Sequence, residues 1–365
     1  MADDVISFAR GAPSADILPA EAVREAAGRA LSDDWQRALS YGTGKGHPGL
    51  GEWIAGLHEG LDPSQVMVTN GSMEAAAFVF SHLLEPGDRV LVEQPSYDRT
   101  LLLLGRAGVE LVPVPLESDG VSIEAVEEGL AGGPVKLAHI IPNFHNPAGC
   151  TLSAAKRKRL VELAAEHDFT LFEDDPYRLI RFGEEEHETM LSRDDAGKVL
   201  HASSFSKTVS PGVRVGYLAG DSAQIASLSK LAGETYISPN MLAESIVFAL
   251  CESGGLERNV EFVNGALRGR RDALVEALGE HIPEADFVVP EGGYFLWLTL
   301  NDDVNSPELL EAAKGEGVAF VAGPDFLIEG GENALRLSFA SVPAEQVAEG
   351  VVRLARALES TRAAA

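Results

Sequence analysis

Short apolar runs alternating with helical segments constrain this chain more than any other feature. Residues 66–69, 89–93, 109–114, 137–141, 170–174, 199–203 and 213–219 read as seven strands. Segments with helical spacing, such as 73–84 and 154–167, stand between them, with turn signals such as Glu85-Pro86-Gly87-Asp88. This alternation predicts an α/β fold built on a large, mainly parallel seven-stranded sheet. From about 221 to 252 the spacing is helical, with a break near Ser238-Pro239, and a long helix over 256–278 leads out of the domain. Strands at 285–289, 293–299, 318–321 and 334–339, with helices at 306–314 and 343–358, predict a smaller α+β domain. The expected division is 1–40 as an N-terminal arm and part of the small domain, 41–255 as the large domain and 256–365 as the small C-terminal domain.

A length of 365 residues is enough for two sizeable cores. No apolar run of about 18 residues occurs, so no membrane-spanning helix is expected. The start, Met1-Ala2-Asp3-Asp4, lacks the basic and apolar stretches of a secretory signal. Only Cys150 and Cys251 are present, which makes neither a disulfide framework nor a metal site and fits a reducing cytoplasm. Net charge is 29 − 56 = −27, which argues against nucleic acid or an anionic membrane as partner. The acids are spread along the chain and there are eight lysines against 21 arginines. That composition suggests adaptation to high salt, with a merely acidic protein as the alternative.

Lys207 lies in Ser203-Ser204-Phe205-Ser206-Lys207, seven residues before Arg214. A scarce lysine among hydroxyls suggests chemistry on a free amine: it can hold a carbonyl cofactor while Ser204 and Arg214 grip a phosphate. An isolated S-x-x-K would be a solvated turn, but the segment S-F-S-K-x-x-x-P-G-x-R-x-G is far more specific. Glu173-Asp174-Asp175-Pro176-Tyr177 ends an apolar strand. A carboxylate there needs a cationic partner. Gly71-Ser72-Met73 forms a strand-to-helix turn suited to a phosphate or to plain N-capping. Tyr97 ends a strand, either as a ring cover or as a core residue. Asn146 stands in an Asn-Pro-x-Gly turn, where His145 reads as a packing residue. Arg336 lies alone in an apolar strand, as a carboxylate clamp or a structural ion pair.

The order and spacing of these segments resemble the fold-type I pyridoxal-phosphate aminotransferases of the class I/II family, similar to the 2-aminoadipate, kynurenine and aromatic enzymes. The resemblance runs from about Phe8 to Phe339. It implies pyridoxal 5'-phosphate bonded to Lys207, with its phosphate on Gly71, Ser72, the Met73 N–H, Ser204 and Arg214. It implies Tyr97 over the ring, Asn146 on the phenolic oxygen, Asp174 on the pyridine nitrogen and Tyr177 near the bonded amine. Arg336 becomes the substrate-carboxylate clamp, with Gly11 of the arm close by. Tyr41 reaches the phosphate of a neighbouring subunit, which implies a homodimer with shared active sites. The expected reaction moves an amino group between an amino acid and a 2-oxo acid, 2-oxoglutarate, by ping-pong turnover. Ala148 replaces the usual threonine, and Arg10 stands where relatives often have a small residue. Arg10 either reads an acidic side chain or is solvated. Alternatives on the same fold are a lyase, a decarboxylase, an oxidase or the cofactor-binding effector domain of a transcription regulator.

Overall fold

A computed structural model describes residues 5–364. The acidic start Met1-Ala2-Asp3-Asp4 lies outside the described residues. After a short β1, Ile6–Ser7, come β2 Val66–Thr69, β3 Arg89–Gln94, β4 Glu110–Glu117, β5 Gly120–Val121, β6 Leu137–Ile140, β7 Thr170–Asp174, β8 Val199–Ser204 and β9 Gly216–Ala219. Strands β2 to β9 form one sheet in the order β2-β9-β8-β7-β6-β3-β4-β5. The run β8-β7-β6-β3-β4 is parallel, whereas β9 is antiparallel to both neighbours. All seven expected strands are present. The extra β5 is a two-residue edge strand, too short to leave a pattern in the sequence.

Both faces of this sheet are covered, so its strands are apolar throughout rather than alternating. Val90, Val92, Phe172 and Leu200 pack on one face with Phe78 and Phe80 of helix Ser72–Leu83. Leu91, Ile140, Leu171 and Val199 pack on the other with Leu160 and Leu163 of helix Ala154–His167. Each such side chain contributes roughly 1.5–3 kcal/mol by leaving water. The consequence for function is directional. Thr69, Gln94, Ile140, Asp174 and Ser204 end their strands at one edge of the sheet. That is the edge at which open α/β sheets bind ligands.

The C-terminal part builds a second sheet from β10 Phe295–Thr299, β12 Val321–Ala322 and β13 Ala334–Ser338, in the order β10-β13-β12 and antiparallel. Two expectations are corrected here. The run 318–321 is not one strand: β11, Val318–Ala319, pairs with β1, Phe320 belongs to neither ladder, and β12 pairs with β13. The run 285–289 is not a strand either, touching β10 only through the bridge Asp286–Thr299. Val288 and Val289 face solvent, and Pro290 has no N–H to continue a ladder.

Ile6, Phe8 and Ile17 of the arm pack with Val263, Leu274, Phe295 and Leu337. Helix Ala20–Asp33 instead joins Leu50, Ile54 and Val247. Helix Gly255–His281 connects the two cores, with Leu256 in one and Val263 to Leu278 in the other. Among the described residues no helix is long and apolar enough to cross a membrane.

Candidate active site

A cavity of about 140 Å³ opens at the strand-end edge of the large sheet. One end is walled by Ser72, Met73, Ser204 and Arg214, the other by Tyr97, Asn146, Asp174 and Tyr177, with Lys207 between them.

The first end is an anion cradle. Helix Ser72–Leu83 begins without a side-chain cap, so Ser72 is its first residue and not the N-cap. The first N–H groups of a helix have no intrahelical acceptor, and here they face the cavity through Ser72 and Met73. Arg214 Nη2 donates to Asn70 O at 3.2 Å and Nη1 to Ser206 Oγ at 3.2 Å. Ser206 in turn takes a 2.9 Å bond from Ser204 Oγ. The fit depends on glycine. A Cβ on Gly71, at φ +94, would lie 2.5 Å from Arg214 Nη2, and one on Gly216 would lie 2.6 Å from Ser72 N. Two N–H groups, three hydroxyls and a guanidinium converge where a phosphate would sit.

Lys207 Nζ donates to Gly11 O at 2.8 Å. Burial, reinforced by the charges of Arg336 and Arg214 and opposed by Asp174, pushes this amine down to about 8. Its surroundings disfavour the ammonium form, so part of the population is nucleophilic near neutral pH. The Tyr177 ring centroid is 5.4 Å from Nζ, and burial holds the Tyr177 phenol well above its ordinary pKa. Asp174 ends β7 with Oδ2 3.4 Å from His139 Nε2, while its buried Oδ1 has no partner. An orphaned carboxylate oxygen in a cavity wall is an acceptor waiting for a donor.

Arg336, at the centre of β13, donates from Nη1 to Asn146 Oδ1 at 3.0 Å and from Nη2 to Ala9 O at 2.9 Å. The rings of Phe295 and Phe326 flank its guanidinium at 4.3 and 4.7 Å. Its buried Nε has no partner, and among the described residues no carboxylate pairs with it. Asn146 Oδ1 is thus spoken for, which leaves Nδ2 as its donor toward the cavity. His145 braces the turn, with Nε2 3.1 Å from Glu93 Oε2 and Nδ1 accepting from Ala148 N at 3.2 Å.

Five predicted residues are not in the cavity wall: Gly71 and Arg336 adjoin it through Arg214 and Asn146, and three others stand further apart. Gly11 meets the site only through its carbonyl on Lys207. Arg10 is exposed between Ala9 and Gly11. Tyr41 is 82% exposed, in a surface groove with Arg37 and Met241. Asp175, the next carboxylate along the chain from Asp174, is buried outside the cavity lining and accepts from Asn143 Nδ2 at 2.8 Å; burial raises its pKa. Glu173, Asp175 and His201 bring ligand atoms within 4.8 Å of one another. Glu173 is already occupied by His201 Nδ1 and the N–H groups of Met190 and Leu191, as a hydrogen-bonded support for β7. His139, Ser206 and Tyr294 contact site residues without standing out in the sequence. Only Ser206 had a signal, its place beside Lys207.

The residues present fit pyridoxal phosphate: a depressed amine for its carbonyl, a glycine-lined cradle for its phosphate and an orphaned carboxylate for its ring nitrogen. Comparison with known proteins agrees. Residues 3–354 match the model of the family Aminotransferase class I and II. The chain is 33% identical to aromatic-amino-acid aminotransferase 1 of Thermococcus litoralis, over 98% of this chain and 88% of that protein. It is 35% identical to the 2-aminoadipate transaminase of Thermus thermophilus, over 97% and 90%. The crystal structure of Thermus thermophilus alpha-aminoadipate aminotransferase complexed with N-(5'-phosphopyridoxyl)-L-leucine superposes with a TM-score of 0.94 at 33% identity, covering 100% of this chain and 94% of that one. The chain belongs to the class I and II aminotransferase family. It is an aminotransferase of fold type I that works with pyridoxal phosphate.

Proposed function

We propose that this aminotransferase takes an aromatic or 2-aminoadipate-like donor and returns the amino group to 2-oxoglutarate. The names of its relatives support the donor classes. The observation that carries the reading is Arg336, a buried guanidinium with a free Nε and no carboxylate partner among the described residues, which adjoins the cavity through its bond to Asn146 and lies close enough to Lys207 to disfavour its ammonium form.

When bound, the cofactor supplies the carbonyl that takes up the amino group and the ring that accepts the Cα–H electrons. Ser72, Met73, Ser204 and Arg214 would hold its phosphate. Asp174 Oδ1 would accept from the ring nitrogen, Asn146 Nδ2 and the Tyr177 hydroxyl would serve the phenolic oxygen, and Tyr97 would cover the ring. Arg336 binds the substrate carboxylate in both half-reactions, since donor and acceptor share it. Lys207 Nζ would take the Cα proton and give it back two bonds away, at the cofactor carbon beyond the amino nitrogen, which needs an amine that changes charge near neutral pH.

The expected outcomes are loss of roughly four orders of magnitude or more in turnover for Lys207→Ala and fast turnover with the two donor classes. A panel of amino donors against 2-oxoglutarate, read by cofactor absorbance, checks both. An enzyme that rejects every aromatic and 2-aminoadipate-like donor refutes the substrate assignment, and a Lys207→Ala enzyme of normal turnover refutes the site.

We also infer a homodimer in which Tyr41 reaches the partner's phosphate. The exposed Trp35, Leu39, Tyr41 and Ile237 support it, and holoenzyme sedimenting at twice the chain mass is the expected result. Arg10 is proposed to meet acidic substrate side chains, because the carbonyls on either side of it already touch Arg336 and Lys207. Binding of dicarboxylate substrates unchanged in Arg10→Ala would remove it from the site. The division near 255 is supported by the separate cores, whereas only the arm up to about Ile17 joins the small core and helix Ala20–Asp33 packs with the large one; a cytoplasmic setting is supported by two free, buried cysteines. Limited proteolysis and cell fractionation test these. A net charge of −27 supports adaptation to high salt.

A further inference from the structure

Lys207 is held by a second tyrosine that the pattern of the family segments does not point to. Tyr294 precedes β10 and is fully buried. Its hydroxyl donates to Lys207 O at 3.0 Å, and its ring centroid lies 5.1 Å from Lys207 Nζ. One side chain therefore touches the lysine at both ends, backbone and amine.

The local chain is built to deliver it there. A Cβ on Gly292 would lie 2.2 Å from Ile180 O, and one on Gly293, at φ +69, would lie 2.6 Å from Phe144 Cβ. Only glycines allow this segment to run so close to the large-sheet side. Gly293 N donates to Ile180 O at 2.7 Å, and Phe339 N donates to Tyr294 O at 3.1 Å. These bonds fix the residue from both sides. Burial raises the Tyr294 pKa, so it remains a neutral phenol able to donate.

The groups around Nζ form an unusual set for an ammonium. Arg336 and Arg214 repel it, Asp174 is the one carboxylate acting on it, and Gly11 O accepts one bond. The remaining near neighbours are the faces of Tyr177 and Tyr294, at 5.4 and 5.1 Å, with the two rings 5.5 Å apart. Ring faces within about 6 Å attract a cation without fixing it as an ion pair would. An amine that must take up a proton and give it back is served by that weaker hold, because a tight carboxylate pair would lock the charged form.

We propose that Tyr294 is a positioning residue for Lys207: its ring and that of Tyr177 form a box for the lysine ammonium whenever the amine is free, and its hydroxyl fixes the lysine backbone. The inference rests on the reading of Lys207 as the working amine, but it is tested by a different measurement.

The test uses full-length protein freed of pyridoxal phosphate. Acetic anhydride labels Lys207 over a pH series, and peptide mass spectrometry reads the modification at that residue. The midpoint is expected near 8 in the parent protein. Tyr294→Met fills the space with an unbranched side chain but removes the ring face. Its midpoint is expected to fall by about half to one pH unit, making Lys207 about three- to fivefold more reactive at pH 7. Tyr294→Phe keeps the ring, so its midpoint should match the parent's, while amide hydrogen exchange at residues 207–209 should quicken. A parent-like midpoint in Tyr294→Met overturns the box, as does a Tyr294→Phe midpoint shifted as far as that of Tyr294→Met. If Tyr294→Met does not fold, Tyr294→Phe still decides, through a parent-like midpoint and faster exchange together; either one missing sinks the proposal. Failure of the Lys207 reading itself would appear separately, as turnover that survives Lys207→Ala.

Discussion

The Lys207 amine titrates at about 8 in the fold, against 10.5 for an ordinary lysine. Between these values the unfolded chain binds more protons than the folded one, so stability of the cofactor-free protein rises with pH across that window. Below about pH 8 the fold must hold a poorly solvated ammonium beside Arg336 and Arg214. Lys207→Met is therefore expected to stabilise the cofactor-free protein most at about pH 7, by on the order of 2–3 kcal/mol at most. The gain should shrink as pH rises through 8 and vanish above about 10.5. Urea unfolding of both proteins across this range measures it, and a pH-independent difference contradicts the argument. Lys207 and Asp174 were legible in the sequence because their chemistry needs one residue type at one spacing. Tyr294 was not, since it meets Lys207 across 87 residues and sits in an apolar strand entry that reads as core. His139 was hidden in the same way, inside an apolar strand 174 − 139 = 35 residues before its carboxylate partner.

Among the elements, the turn from β2 into helix Ser72–Leu83 carries the cofactor's charge. Its shape is set by Arg214, itself at φ +49, reaching across Gly71 to Asn70 O. In the sequence this turn suits a phosphate or plain N-capping by Ser72. The fold makes Gly71 the cap position and leaves the Ser72 hydroxyl in the cavity wall. Gly71→Ala sets a Cβ against the Arg214 guanidinium, in a backbone conformation that alanine avoids. Cofactor affinity is expected to fall about tenfold or more, with smaller loss of thermal stability in the cofactor-free protein, because Arg214 is displaced from a phosphate site rather than from a core. Titration of cofactor-free protein with pyridoxal phosphate checks this, and unchanged affinity would detach the turn from phosphate binding. The parallel strands were legible because burial on both faces makes them continuously apolar. The misread runs at 285–289 and 318–321 are apolar too, yet what separates strand from loop there is the partner: β1 claims Val318–Ala319, and nothing pairs fully with the other.

At the scale of the whole molecule, electrostatics works against compactness. The charge of −27 leaves that many acids without a cation on a simple count. Arg159, for instance, is shared by Glu127, Glu162 and Glu166. Exposed pairs of this kind each contribute only about 0–1 kcal/mol, so they do not offset the general repulsion. Repulsion between surface carboxylates reaches about 10 Å in 0.1 M salt but about 3 Å in 1 M. Two copies brought together carry twice −27, or −54, and raise the penalty at their contact. Potassium chloride should therefore raise the melting temperature of the holoenzyme by on the order of 5 °C or more between about 0.1 and 2 M. It should also move sedimentation from one chain mass toward two. Chloride is the informative salt, since sulfate strengthens apolar burial in any protein and would raise the melting point regardless of charge. A melting temperature that stays level or falls as chloride rises would leave the acidity without a stabilising role for salt. The surplus carboxylates would then act on solubility alone.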